Sequence, residues 1–121
     1  MRHLFVYGTL KRGCKNHHHL TFQRFLGEAR TCPGYQLYDL GDYPGLVADS
    51  TATAGVSGEL WAVDATTLAR LDEFEGVPEG LYRRVRVELL APFTQIEADT
   101  YFYVRDPGQR PVGPTWSEIT A

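Results

Sequence analysis

Residues 3–10 read His-Leu-Phe-Val-Tyr-Gly-Thr-Leu, HLFVYGTL, and their reading decides the fold. Residues 3–7 are a short, continuous, β-prone apolar run that breaks at Gly8, which predicts a central strand buried on both faces. A strand of that kind needs partners, and the chain offers them. Segments 34–40, 46–48 and 55–63 alternate or run apolar between turn residues, and 41–45 (Gly-Asp-Tyr-Pro-Gly) is a loop. In 82–90 arginine alternates with valine, the pattern of a half-buried strand with one wet face, and 98–104 is expected to pair with it across a loop containing Pro92. One clear helix is predicted over 65–75 behind Asp64 as N-cap, and a shorter one over 18–26 with Leu20, Phe22 and Phe25 as its apolar contacts. The class is α+β: a small mixed sheet with a few flanking helices. The chain is read as one domain over 1–121, of which 106–121, with three prolines, is a tail wrapping the surface.

Composition narrows the partners. The 121 residues are 43% hydrophobic and 22% charged, enough for one ordinary core, and twelve glycines with seven prolines favour short strands joined by tight turns. A net charge of −3 argues against nucleic acid, whose binders carry a basic excess on one face. No apolar run approaches the roughly 18 to 20 residues that cross a bilayer, so no membrane partner is expected. The N-terminus enters strand-like sequence at once, without the apolar core of a secretory signal. Cys14 and Cys32 are therefore expected as thiols in a reducing, cytoplasmic setting rather than as a disulfide. Oligomeric state is left open.

The predicted helix repays arithmetic. At about 100° per residue, Leu68, Leu71 and Phe74 define its apolar face. Glu75, seven positions after Leu68, projects within about 20° of that residue, whereas Asp72 lies on the flank of the face and Glu73 points into water. With Gly76 next, the helix should stop and leave Glu75 at a rim. A carboxylate on an apolar face needs a reason, because unpaired burial is costly or raises its pKa. Two readings fit the spacing. Glu75 pairs with Arg83 or Arg84, or frays into solvent; or it is a general base in a partly desolvated pocket.

Tyr7-Gly8-Thr9-Leu10 is the second candidate. A buried strand that breaks at glycine leaves successive backbone N–H groups at the sheet's end, where they can cradle a carboxylate or a developing oxyanion. The same residues also make an ordinary turn. His17-His18-His19 invites a metal, but three consecutive histidines point in different directions on any regular backbone. They are read as solvated surface, with no metal site. Cys14 has no histidine–acid arrangement that would make it a nucleophile. Tyr101-Phe102-Tyr103 is read as strand core, and the segment 8–13 lacks the spacing of a phosphate-binding loop.

In order and spacing, the candidates match one pattern. Tyr7-Gly8-Thr9-Leu10 after a first strand, then Leu71-Asp72-x-x-Glu75-Gly76 and Tyr82-Arg83-Arg84, resembles the γ-glutamylcyclotransferase family, in particular its short bacterial members and the γ-glutamylamine cyclotransferases. The likeness extends to Phe5-Val6, Leu10-Lys11-Arg12-Gly13, Asn16-His17, Tyr43-Pro44-Gly45 and Gly58-Glu59-Leu60-Trp61, and so covers most of the chain as far as Tyr103. Where some members carry serine this chain has Thr9, which keeps the hydroxyl.

The resemblance implies a barrel-like sheet with a cavity at its mouth, and an enzyme that converts a small γ-glutamyl compound into 5-oxoproline and a free amine. The substrate's α-amine attacks its own γ-carbonyl, so the chemistry asks for no protein nucleophile, metal or cofactor. Glu75 takes the role of catalytic acid and base. Gly8, Thr9 and Leu10 would hold the substrate's carboxylate or the oxyanion through their N–H groups, and Tyr7 and Tyr82 would line the pocket and orient the substrate. The alternative from another class is a protein of the same fold that binds a metabolite or a partner without turnover.

Overall fold

In the computed structural model, which describes residues 1–117, β1 (Arg2–Val6) runs antiparallel to β5 (Ser57–Val63) on one edge and parallel to β7 (Ala98–Tyr103) on the other. Leu4 and Val6 point to one side and Phe5 and Tyr7 to the other, and all four are buried. Both faces being covered is why the segment reads as a continuous apolar run instead of an alternating one.

Among the described residues the sheet has seven strands in the order β2-β5-β1-β7-β4-β3, with β6 (Tyr82–Val87) attached to β7 off that path. Here β2 is Arg24–Arg30, β3 Tyr35–Asp39 and β4 Pro44–Ala48. Its branching sets the geometry of everything that follows. β6 pairs antiparallel along the whole of β7, from Tyr82 opposite Tyr103 to Val87 opposite Ala98. The other edge of β7 is then shared: β1 takes Ala98 and Asp99, and β4 takes Phe102. Between those points β1 and β4 diverge and the sheet forks.

On one side of the sheet, residues from all seven strands meet: Phe5, Ala29, Leu37, Leu46, Leu60, Val87 and Ala98 form one buried cluster. Such convergence is what the inside of a barrel does. The other side is covered by α1 (Ala65–Phe74), whose Leu68 and Leu71 pack with Leu4, Val6, Trp61, Val63, Tyr82 and Tyr101. Asp64 caps α1 as expected, its Oδ1 accepting from Thr67 N at 2.7 Å, and Gln23 binds the same cap from both sides. Among the described residues the mixed sheet is thus flanked by one α-helix and one 3-10 turn.

The helix expected over 18–26 is a correction. His17–Leu20 makes the 3-10 turn, and β2 follows from Arg24 to Arg30, antiparallel to β5. β5 is buried over its last five residues and needs a strand on each edge, a tertiary demand that outweighs local helix pattern. Phe22, counted among the apolar contacts, is fully exposed at φ +68 in the connecting turn, while Phe25 packs edge-on against Trp61. Within residues 106–117, Asp39 N donates to Arg110 O, Val112 N to Leu37 O and Ser57 N to Pro114 O, which ties this segment to β3 and β5. The last four residues of the tail, 118–121, lie outside the described residues.

Candidate active site

A cavity of about 360 Å³ opens where the sheet forks. Its walls are the end of β1 and the loop after it (Phe5 to Leu10), Tyr43 and Pro44 at the start of β4, Tyr82 of β6, Tyr101 of β7, and Phe74 and Glu75 at the end of α1. All six residues that the sequence singles out as catalytic or substrate-binding, Tyr7, Gly8, Thr9, Leu10, Glu75 and Tyr82, line this one cavity.

The way α1 ends presents Glu75 to it. Gly76 adopts φ +72, its N–H donates to Glu73 O, and Val77 N donates to Asp72 O. This reciprocal pair closes a helix on a left-handed residue, for which glycine is suited. Glu75 is the last right-handed residue before the break, half-buried, at the rim that its spacing implies. Burial raises its pKa from the usual 4.5 to about 7. The negative end of the helix dipole acts in the same direction. The ion pair with Arg83 or Arg84 is absent. Arg84 bonds Asp72 at 2.9 Å and Asp99 at 2.7 Å, Arg83 is exposed, and among the described residues no hydrogen bond or ion pair reaches the Glu75 carboxylate.

The loop after β1 supplies donors. Among the described residues the N–H groups of Gly8, Thr9 and Leu10 have no acceptor, although all three residues are buried. Three successive bare N–H groups at a cavity wall suit an anion, since each buried orphan donor is costly until it finds an acceptor. The loop is held from outside. Asn16 donates from Nδ2 to Thr9 Oγ1 at 2.9 Å and from its backbone to Thr9 O at 3.0 Å. Glu59, 7% exposed, accepts from the Arg12 backbone and from Arg12 Nε, each at 3.0 Å, and from Trp61 Nε1. These contacts give Asn16 and the Gly58-Glu59-Leu60-Trp61 segment a job: they anchor the loop. A Cβ on Gly58 would run into Val6 O, so this glycine lets β5 approach β1.

Gly8 also serves the frame. A Cβ there would meet Pro44 Cγ at 2.6 Å and Pro44 Cδ at 3.0 Å, so the missing side chain makes room for the proline ring. On the far side of that proline, a Cβ on Gly45 would meet Leu40 Cδ1 at 2.8 Å and Tyr103 Cβ at 2.9 Å. Tyr-Gly and Tyr-Pro-Gly are therefore two halves of one contact across the fork.

The tyrosines of the cavity are tied into the frame. Tyr7, 6% exposed, donates its hydroxyl proton to Tyr101 O at 2.6 Å and accepts from Leu46 N at 3.2 Å, stitching β7 to β4 where the sheet parts. Tyr82 donates to Pro44 O at 2.8 Å. With those protons committed, both offer a ligand their rings and a hydroxyl lone pair. Burial first, and the nearby Glu75 charge among lesser causes, pushes both hydroxyls well above the usual tyrosine range.

Lys15, Asp42, Tyr43, Phe74 and Tyr101 also line the cavity and were not among the sequence candidates. Phe74 was assigned to the buried helix face. It is 44% exposed, forming cavity wall and stacking on His19 at 4.2 Å between centroids. The Gly41–Tyr43 loop carried no signal beyond its turn composition. Its place at the mouth follows from Lys15 Nζ donating to Asp42 O at 2.6 Å, a pairing no local pattern encodes.

His17 and His19 are half-buried rather than solvated. His17 Nδ1 contacts Leu10 O at 3.0 Å and its ring lies on Trp61, while only His18 is exposed. Among the described residues no group of three His, Cys, Asp or Glu side chains could hold a metal ion. No disulfide joins Cys14 and Cys32. No helix among the described residues is long and apolar enough to cross a membrane.

Comparison with known proteins bears on the family and the fold. The family model described as Gamma-glutamyl cyclotransferase, AIG2-like matches residues 4–118. A Vibrio cholerae protein is 51% identical over 89 residues, 73% of this chain and 74% of its own. The Gamma-glutamylaminecyclotransferase of Rattus norvegicus is 36% identical over 96 residues, 74% of this chain and 64% of its own. The crystal structure of an AIG2-like protein from Mus musculus superposes with a TM-score of 0.77 at 27% identity, covering 97% of this chain and 88% of that one.

Proposed function

The chain belongs to the γ-glutamyl cyclotransferase, AIG2-like family, and from that premise we propose that it converts a small γ-glutamyl compound, a γ-glutamyl amino acid or γ-glutamyl amine, into 5-oxoproline and the free amine, with Glu75 as acid and base. The family and the fold support γ-glutamylcyclotransferase-like activity in general. One observation carries the finer reading: a half-buried carboxylate without a protein partner shares a cavity with three successive N–H groups that also lack one.

The chemistry accounts for both. The substrate's α-ammonium must lose a proton before its nitrogen can attack the γ-carbonyl. The α-ammonium of a γ-glutamyl compound, beside its free α-carboxylate, titrates above the roughly 7.7–8.0 of a peptide α-amine, so an ordinary carboxylate is too weak a base by more than about three units. At about 7 rather than 4.5, Glu75 narrows that mismatch substantially. Attack forms the ring C–N bond and a tetrahedral oxyanion, and the new ring nitrogen loses its extra proton to water. Collapse breaks the original amide C–N bond, and Glu75 returns its proton to the departing nitrogen. The Gly8–Leu10 donors hold either the substrate's carboxylate or the oxyanion, and Tyr7, Tyr82 and Tyr101 wall the cavity so that the extended chain folds into the ring-closing conformer.

No metal or cofactor takes part in this sequence, and no nucleic acid or membrane is needed. The reading is tested by incubating the purified protein with a panel of γ-glutamyl amino acids and γ-glutamyl amines and following 5-oxoproline. Release from at least one class is expected. Binding without release from any member would make the protein a metabolite-binding relative of the enzymes.

A further inference from the structure

Three of the four tyrosines that line the cavity with Glu75, namely Tyr7, Tyr82 and Tyr101, send their hydroxyl protons elsewhere. Tyr7 donates to Tyr101 O, Tyr82 to Pro44 O, and Tyr101 to Asp72 Oδ1 at 2.7 Å. The first two acceptors are backbone carbonyls, fixed by the sheet. The third is a side chain, and it stands three residues before Glu75 on the same helix, where neighbouring Cβ atoms are about 5–6 Å apart. A hydroxyl bonded to Asp72 is thus within one helical turn of the Glu75 carboxylate.

We propose that Asp72 is a positioning residue: by accepting the Tyr101 hydroxyl proton it prevents that hydroxyl from donating to Glu75, and so leaves the Glu75 carboxylate bare for the substrate's ammonium. The inference rests on the cyclotransferase reading of Glu75 and adds a residue to it. Asp72 is suited to the task because Arg84 holds it in place, Nε on Oδ1 at 2.9 Å and Nη2 on Oδ2 at 3.3 Å. A carboxylate is a stronger acceptor than a neutral group, so it retains the tyrosine proton. Serving Arg84 alone does not explain it, since Arg84 already bonds Asp99 at 2.7 Å. A tyrosine that donated to Glu75 would stabilise its charged form and make it a poorer base. The other titratable groups around Glu75 are Tyr7 just after β1, Tyr82 of β6, and Lys15, Asp42 and Tyr43 from the loops at the mouth. The Tyr7 and Tyr82 hydroxyls, on which the Glu75 charge acts, already donate to Tyr101 O and Pro44 O.

The test titrates Glu75 directly, by ¹³C NMR of the side-chain carboxyls with the resonance assigned by its loss in Glu75→Gln, so that it reads out whether or not any substrate turns over. In the wild type, Glu75 titrates near 7. Asp72→Ala frees the Tyr101 hydroxyl and is expected to lower that midpoint by about one unit or more. Adding Tyr101→Phe to it is expected to restore the midpoint, and Tyr101→Phe alone should leave it in place. Asp72→Asn, which keeps the side-chain volume and offers a weaker acceptor, should shift the midpoint down by less. In the active enzyme the acid limb of kcat/KM should follow the same four shifts. An unmoved midpoint in the folded Asp72 variants overturns the proposal, as does a downward shift that survives Tyr101→Phe. Failure of both Asp72 variants to fold overturns it too, because Asp72 is then a structural residue. Absence of turnover in the wild type, with the titration behaving as expected, would instead refute the cyclotransferase reading.

Discussion

The Glu75 carboxyl binds its proton more tightly in the folded protein, at about 7, than in the unfolded chain, where 4.5 applies. The stability linked to its protonation is therefore fully present below pH 4.5 and is lost as the pH rises through 7. Glu75→Gln carries no charge to bury. Its melting temperature is expected to exceed the wild type's at pH 8 and to converge on it toward pH 5, by differential scanning calorimetry across that range. A structural ion pair would give the opposite, a variant less stable than the wild type at pH 8. Gly8→Val is expected to destabilise by about 1–3 kcal/mol in denaturant titrations, because the new side chain collides with the Pro44 ring. It should also weaken ligand binding, since Tyr43 and Pro44 are cavity wall. Unchanged stability would mean that the proline moves aside freely. Sequence spacing alone placed Glu75 on the inner rim, because helical angle is a local property. The role of Gly8 was not readable that way: Pro44 is its neighbour only once the sheet has forked.

Among the elements, α1 is the one that local rules specify almost completely. Its N-cap, its buried Leu68 and Leu71, and its stop at Gly76 each follow from residues within a turn of one another. Asp64→Ala removes the acceptor of Thr67 N–H and of Gln23 Nε2, and is expected to cost about 1 kcal/mol of stability by chemical denaturation. A larger activity loss than stability loss would show that the helix end carrying Glu75 had shifted. β2 is the converse case. Residues 24–30 have little strand signature of their own, with Gly27 breaking the register against β5, and it is the exposed edge of β5 that recruits them. The strands at 34–40, 55–63, 82–90 and 98–104 were visible to within a few residues because each carries its own alternation or apolar run. The fork of β7 between β1 and β4 was not visible, being a matter of which edges meet.

Taken as a whole, the molecule builds a cavity where three secondary-structure neighbourhoods end together: β1 at Gly8, β4 at Pro44 and α1 at Glu75. Two of its three clustered histidines are occupied by that packing, His17 on Trp61 and Leu10, His19 on Phe74, and His18 is exposed. Chelation with excess EDTA is accordingly expected to leave the melting temperature unchanged. A drop would reveal a metal held by groups this packing does not bring together. The family pattern was legible in the sequence because its pieces are short and keep their order. The cavity walls at Lys15, Asp42 and Tyr43 were not, because they come from loops whose positions only the folded chain sets.

The most direct measurement is 5-oxoproline release by wild type, Glu75→Gln and Glu73→Gln side by side, on whichever γ-glutamyl compound the wild type turns over fastest. Gln keeps the shape of Glu75 and removes the base, whereas Glu73 is exposed and serves as the control. The expected result is a loss of roughly a hundredfold or more in Glu75→Gln, with folding and substrate binding retained and Glu73→Gln indistinguishable from wild type. Turnover that survives in a folded Glu75→Gln protein would contradict the mechanism.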